Sequence, residues 1–181
     1  IRGQLRVSDP NYNFSGNSLN YFVSSTKNDK PDSGYENSII SFAVGTGFDQ
    51  YRGIRVSPEL SIDFDDLSVD GSASENLRNQ AGTFTDLAFN YGISSDKRDR
   101  AFMPTDGSVI SFDQSIPLYA DKSFIDNTFA SSAYTSISEN IIGAAKIYLS
   151  AVNGLGGEDV RISKRKNLST KRLRGFQKGK V

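Results

Sequence analysis

Apolar and polar residues alternate along most of this chain with a period of two. The clearest run is Ile54-Arg55-Val56-Ser57-Pro58-Glu59-Leu60-Ser61-Ile62-Asp63-Phe64-Asp65. Ile54, Val56, Pro58, Leu60, Ile62 and Phe64 share one face of an extended chain, and the polar residues share the other. Twelve residues is long against the usual strand of about five or six. The alternation recurs at 38–46 (Ile40, Phe42, Val44), 85–94 (Leu87, Phe89, Tyr91, Ile93), 108–118 (Ile110, Phe112, Ile116, Leu118) and 141–151 (Ala145, Ile147, Leu149). Segments 1–8, 18–25 and 123–137 are rougher versions of it. The pattern predicts an all-β protein, an antiparallel meander of about eight strands. Connections are expected near 9–17, 27–35, 48–52, 66–82, 96–107, 119–122 and 138–140, with a short helical turn within Ser72–Gln80.

Large apolar residues fill the first face, and Ser, Gly, Ala, Asn and Asp fill the second. A soluble sandwich favours Lys, Glu, Thr and Arg on its water-facing side. A barrel with a lipid exterior and a wet interior favours the arrangement seen here. Membrane strands need only about 9–11 residues each, so the absence of an apolar stretch near 18 residues does not count against this. The chain has no signal-peptide pattern and begins and stops within patterned sequence, so it reads as a fragment. On this reading Glu59, Asp63, Asp86 and Asp113 are lumen-facing carboxylates, with Lys146 an inward cation among them.

Charge adds a second feature. Lys+Arg and Asp+Glu are both 21, but residues 158–181 hold nine basic and two acidic residues, leaving 12 basic and 19 acidic over 1–157. A basic tail on an acidic body suits either nucleic acid or a loop seated on an acidic wall. There is no Cys and no His. Disulfides, thiolate metal sites and the commonest general base are therefore excluded. The cluster Asp63, Asp65, Asp66 lacks calcium-loop spacing and reads as a strand end meeting solvent. Gly154-Leu155-Gly156-Gly157 lacks the Lys-Ser/Thr of a phosphate loop and reads as a flexible strand exit. No metal site or cofactor is expected.

Two segments are more specific. Asp96, Arg98, Asp99, Pro104, Thr105 and Gly107 spell D-x-R-D…P-T-x-G between two strong strands. Leu173-Arg174-Gly175-Phe176 lies inside the basic tail. With the intervening strands and the G-x-G-G run, this order resembles the BamA family of outer-membrane assembly factors. The resemblance covers nearly the whole chain and is sharp at 96–107 and 171–179. It implies that residues 1–155 are part of the wall of a 16-stranded barrel and that 156–181 is a long basic loop. Residues 1–8 would lie near the fourth strand and 141–155 near the eleventh. The D-x-R-D…P-T-x-G turn would be periplasmic. The Leu173–Phe176 motif would lie in an extracellular loop folded into the lumen, with Arg174 anchored on an acidic inner wall.

The function implied is insertion and folding of nascent β-barrel proteins in the bacterial outer membrane, with no bond made or broken and so no enzyme. The implied partners are outer-membrane lipids, nascent outer-membrane proteins and, through periplasmic POTRA domains absent here, assembly-machine lipoproteins, with no nucleic acid. Two alternatives stay open: a related translocation-assembly or two-partner secretion transporter, and a soluble β-sandwich binding module with a basic tail.

Overall fold

The structure is a computed structural model that describes residues 1–30, 34–51, 53–71 and 73–166. Eight strands follow one another: β1 (Arg2–Asp9), β2 (Ser18–Lys30), β3 (Tyr35–Gln50), β4 (Ile54–Val69), β5 (Gly82–Asp96), β6 (Gly107–Ala120), β7 (Phe124–Ser138) and β8 (Ile141–Gly154). A one-turn helix α1 (Glu75–Arg78) interrupts the β4–β5 connection. All eight strands form one antiparallel sheet in sequence order, and β1 and β8 do not meet. The sheet is therefore an unclosed barrel wall. Among the described residues it has no second layer, which removes the sandwich alternative.

Antiparallel meandering sorts the connections onto two ends. The β1–β2, β3–β4, β5–β6 and β7–β8 links share one end, called here the turn end. The β2–β3, β4–β5 and β6–β7 links and the chain after β8 share the other, the loop end.

The ladders fix which residues face out. Val44, Leu60 and Phe89 lie in one row across β3, β4 and β5. Burial is inverted relative to a water-soluble fold. Phe42 and Leu60 are 44% and 42% exposed on the outside, whereas Asp65 is 0% and Asp86 6% exposed on the inside. Apolar side chains on one face and carboxylates on the other suit a wall with lipid outside and a polar lumen.

The outward apolar belt also has an edge. Toward the loop end, β4 passes from Phe64 to Asp66 and Ser68, and β3 from Ile40 to Ser38 and Glu36. Glu36 there pairs with Lys27 of β2 at 2.7 Å. The strands continue beyond the belt. At roughly 3.4 Å per residue and a tilt of about 40°, a 16-residue strand such as β4 rises about 40 Å, against an apolar band of about 25 Å.

This overhang corrects one sequence expectation. Asp63, Asp65 and Asp66 do not mark a strand end in solvent. β4 runs on to Val69, and Asp65 is fully buried within it. The inner face is also not uniformly small and polar. Near the loop end Tyr35, Leu67 and Phe84 form a compact apolar cluster, with Val69 and Ile162 packed on it.

One irregularity has a local cause. The β5–β6 register shifts between Leu87 and Ala88, and Leu118 is left without a ladder partner. Pro117 has no N–H to give to a ladder, so the strand bulges beside it.

The faces make a direct prediction. In the complete barrel Leu60→Arg should destabilise by about 2–4 kcal/mol, because Leu60 sits mid-strand on the outer face. Glu59→Ser, on the lumen face, should cost far less. Unfolding titrations of the two variants in lipid vesicles check this, and equal losses would count against the face assignment.

Candidate lumen site

The lumen site begins with the β4–β5 register. Asp63 stands directly opposite Asp86, and Asp65 opposite Phe84. On the other flank Asn37 of β3 faces Leu67. Three carboxylates thus gather on the inner wall near the loop end. Asp65 accepts a hydrogen bond from Asn37 Nδ2 at 3.1 Å, and Asn37 Oδ1 accepts one from Asn28 Nδ2 at 3.1 Å.

The chain returns to this wall immediately after β8. A side chain at Gly154 would collide with the Glu158 carbonyl oxygen, so only glycine lets the chain double back so tightly. Gly156 and Gly157 follow with φ of +66° and +83°, left-handed conformations that glycine adopts freely. The run read from sequence as a flexible exit is thus a defined reversal. Leu155 N–H donates to Ser123 O at 2.9 Å and pins it to the β6–β7 link.

The residues that follow lie on the acidic wall. Arg161 is 1% exposed, and its Nη2 donates to Asp86 Oδ2. Its guanidinium carbon lies 4.2 Å from the centre of the Phe84 ring, a cation–π contact. Ser163 Oγ donates to Asp65 Oδ2 at 2.7 Å. Lys164 Nζ lies 2.9 Å from Asp63 Oδ2 and 3.3 Å from Asp86 Oδ2, between the two carboxylates. Ile162 N–H donates to Gln80 Oε1 at 3.0 Å, joining the segment to the chain just past α1. Lys166 reaches further down the wall to Asp126 of β7 at 2.5 Å. We call residues 155–166 the loop root.

Of the four carboxylates singled out from sequence, the structure brings Asp63 and Asp86 to the loop root. Glu59 and Asp113 lie lower, lining an open cavity of about 620 Å³ together with Arg6, Asp126 and Lys166. Glu59 there accepts from Asn90 Nδ2 at 3.4 Å, and the Asp113 carboxylate lies against Gly92, where any side chain would crowd it. Leu173, Arg174, Gly175 and Phe176 lie outside the described residues. Sequence reasoning passed over Arg161, Ser163 and Gln80, and it placed Asp65 at a solvated strand end. The available signal was the pair of aspartates on one face of adjacent strands, followed by a glycine reversal and then cations.

At the opposite end, the D-x-R-D…P-T-x-G segment closes on itself. Arg98 donates from Nε and Nη2 to the two oxygens of Asp96, at 2.9 and 2.6 Å. The Asp99 carboxylate accepts from Thr105 Oγ1 at 2.7 Å, Thr105 N–H at 3.0 Å and Asp106 N–H at 3.1 Å. Gly107 has φ +94°, and a side chain there would strike the Lys97 carbonyl oxygen. Ser136 Oγ of β7 donates to Thr105 O at 3.2 Å. Pro104 and Thr105 thus belong to a turn organised around one carboxylate, with no part in the lumen site.

A one-layer wall with an apolar exterior, an acidic interior and a basic segment folded onto that interior defines a transmembrane β-barrel of the outer-membrane kind. The Omp85 superfamily domain matches residues 1–181, and the chain belongs to that superfamily, whose members assemble or transport proteins at outer membranes. Among solved structures, the crystal structure of BamA from Haemophilus ducreyi lacking POTRA domains 1–3 is similar with a TM-score of 0.77 and 18% identity. The match covers 90% of this chain and 35% of that one, so the chain spans about a third of that BamA structure. No curated protein matches.

The turn generates a pH prediction. The Thr105 hydroxyl first, and then the Asp106 N–H, hold the Asp99 carboxyl down from 3.8 to about 2. A depressed carboxyl contributes its stabilisation above its unfolded value and loses it as pH falls through its folded one. The Asp99 contribution should therefore be intact above 3.8 and fade as pH falls toward and below about 2. Carboxyl NMR titration of the complete barrel should place Asp99 near that value, with Thr105→Val moving it upward. A midpoint unchanged by Thr105→Val would remove the hydroxyl as the main cause.

Proposed function

We propose that the protein to which this chain belongs inserts and folds β-barrel proteins in the bacterial outer membrane, without enzymatic chemistry. The carrying observation is the loop root, which folds inward and sets its cations on the lumen carboxylates of an apolar-faced wall. An assembly barrel must hold a closed, wet interior while its exterior engages lipid and nascent strands. Strands in lipid cannot leave N–H and C=O groups unpaired, so an unpaired edge recruits another strand. In this reading residues 1–155 supply barrel wall and 156–181 supply the lumen loop. Nascent outer-membrane proteins and outer-membrane lipids are the partners, and assembly lipoproteins engage through periplasmic domains outside this chain. The D-x-R-D…P-T-x-G turn faces the periplasm, and the loop end faces outward.

Within this function Arg174 anchors the distal part of the loop on a lumen carboxylate, with Gly175 allowing close approach and Phe176 wedging the tip. A guanidinium held against a carboxylate away from bulk water is strongly favoured, and one left buried without a partner is costly.

Two measurements test this. Vesicles carrying the complete protein should accelerate folding of a urea-unfolded outer-membrane barrel, and no acceleration would refute insertion in favour of transport. In cells Arg174→Glu should lower the level of folded barrel far more than Lys178→Glu. Equal behaviour of the two would refute the anchor.

A further inference from the structure

Asp63 and Asp86 are direct cross-strand neighbours on one face of the β4–β5 ladder. Like charges at such positions repel. Bulk water does little to relieve this pair, because the Asp86 side chain is 7% exposed and that of Asp63 27%. One step further along the ladder Asp65 adds a third carboxylate, fully buried. Of the cations elsewhere on the wall, Lys27 pairs with Glu36, Arg55 with Asp49 and Arg98 with Asp96. Among the described residues, every ion pair to Asp63 and Asp86 comes from the loop root.

The root is poorly designed for stability alone. Among the described residues, Arg161 Nε and Nη1 and Asp86 Oδ1 are buried without hydrogen-bond partners. A buried ion pair with orphaned donors and acceptors is commonly less favourable than an apolar replacement of the same shape. What charge supplies here is mutual dependence. The wall needs the root to neutralise its paired carboxylates, and the root needs the wall to bury its guanidinium.

We propose that the loop root is an intramolecular counter-ion for the β4–β5 pairing, with Arg161 and Lys164 as positioning residues that let Asp63 and Asp86 lie side by side. The β4–β5 register and the inward fold of the root then form as one event. This holds without any contribution from Arg174. It rests on the reading of this face as a barrel lumen, but not on which substrates the barrel handles.

The test is suppression of a defect by charge removal, in the complete protein. Arg161→Met and Lys164→Met keep much of each side chain's volume and remove its charge. Each should lower the temperature at which the folded barrel loses its heat-modifiable mobility. Asp63→Asn or Asp86→Asn added to either variant should restore most of that loss, because the repulsion is then gone. A thiol placed by Ser163→Cys reports on the root itself, since this chain has no other cysteine and any cysteine elsewhere in the complete protein is first replaced by serine. Maleimide labelling should quicken on the order of 100-fold in Arg161→Met, by analogy with the loss of one member of a buried pair. It should not change in Arg174→Ala.

Additive losses in the double variants would overturn the proposal, as would unaltered barrel stability in Arg161→Met and Lys164→Met. If Arg161→Met yields no folded barrel, the Lys164 pair of variants decides alone. Labelling of the parent thiol as fast as one placed by Ser74→Cys on the exposed loop would refute the inward seat itself. Normal suppression in a protein that fails to fold substrates would leave this proposal standing and remove the insertion reading.

Discussion

A wall one sheet thick has nowhere to hide a polar side chain except its other face. Within the apolar belt every second residue of each strand is committed to lipid, and the remainder must share the lumen. β4 shows the consequence. Ile54 to Phe64 occupy the outside, so Glu59, Asp63 and Asp65 are forced inward by period alone, and the ladder then sets Asp63 against Asp86. Repulsion between those two carboxylates follows from membrane solvation combined with register. The basic segment after β8 answers it, with Lys164 seated between the pair and Arg161 stacked on Phe84 beneath. The small apolar cluster of Tyr35, Leu67 and Phe84 gives that guanidinium a dry floor, and Ile162 of the root packs on the same cluster.

The strands were readable in the sequence because lipid imposes alternation on them. Alternation fails as a guide where lipid stops. Beyond the belt the outward face of β3 turns to Ser38 and Glu36, and that of β4 to Asp66 and Ser68, while Tyr35 and Leu67 turn inward, so the apolar side changes face while the ladder continues. The strand expected over 38–46 is in fact Tyr35–Gln50, and the one expected over 54–65 is Ile54–Val69. The same blindness made Asp65 look like a solvated strand end. Its burial depends on Asn37 and Ser163, residues 28 and 98 positions away, and no local pattern announces either. The D-x-R-D…P-T-x-G turn was legible as a motif because its bonds are local. The Asp99 carboxylate reaches partners only six and seven residues away. The loop root was legible only in outline, as inward aspartates, a glycine run and a charge excess, since nothing in the sequence singles out Arg161 from the other cations of the tail.

This contrast between local and distant closure separates the two ends of the wall physically. The turn end can organise as soon as β5 and β6 are made, because its carboxylate-centred bonds close short loops and lose little chain entropy. The loop end cannot. Arg161 meets Asp86 across 75 positions, and Lys164 meets Asp63 across 101. Such contacts form only after β8 has joined the sheet and brought its exit beside the wall. Until then Asp63 and Asp86 lack these counter-ions, and their repulsion weakens the β4–β5 ladder at that level. Charge has therefore been placed where it makes one stretch of wall wait for a later stretch of chain. The Gly154–Gly157 reversal shortens that wait by aiming the root inward within a few residues of the last strand.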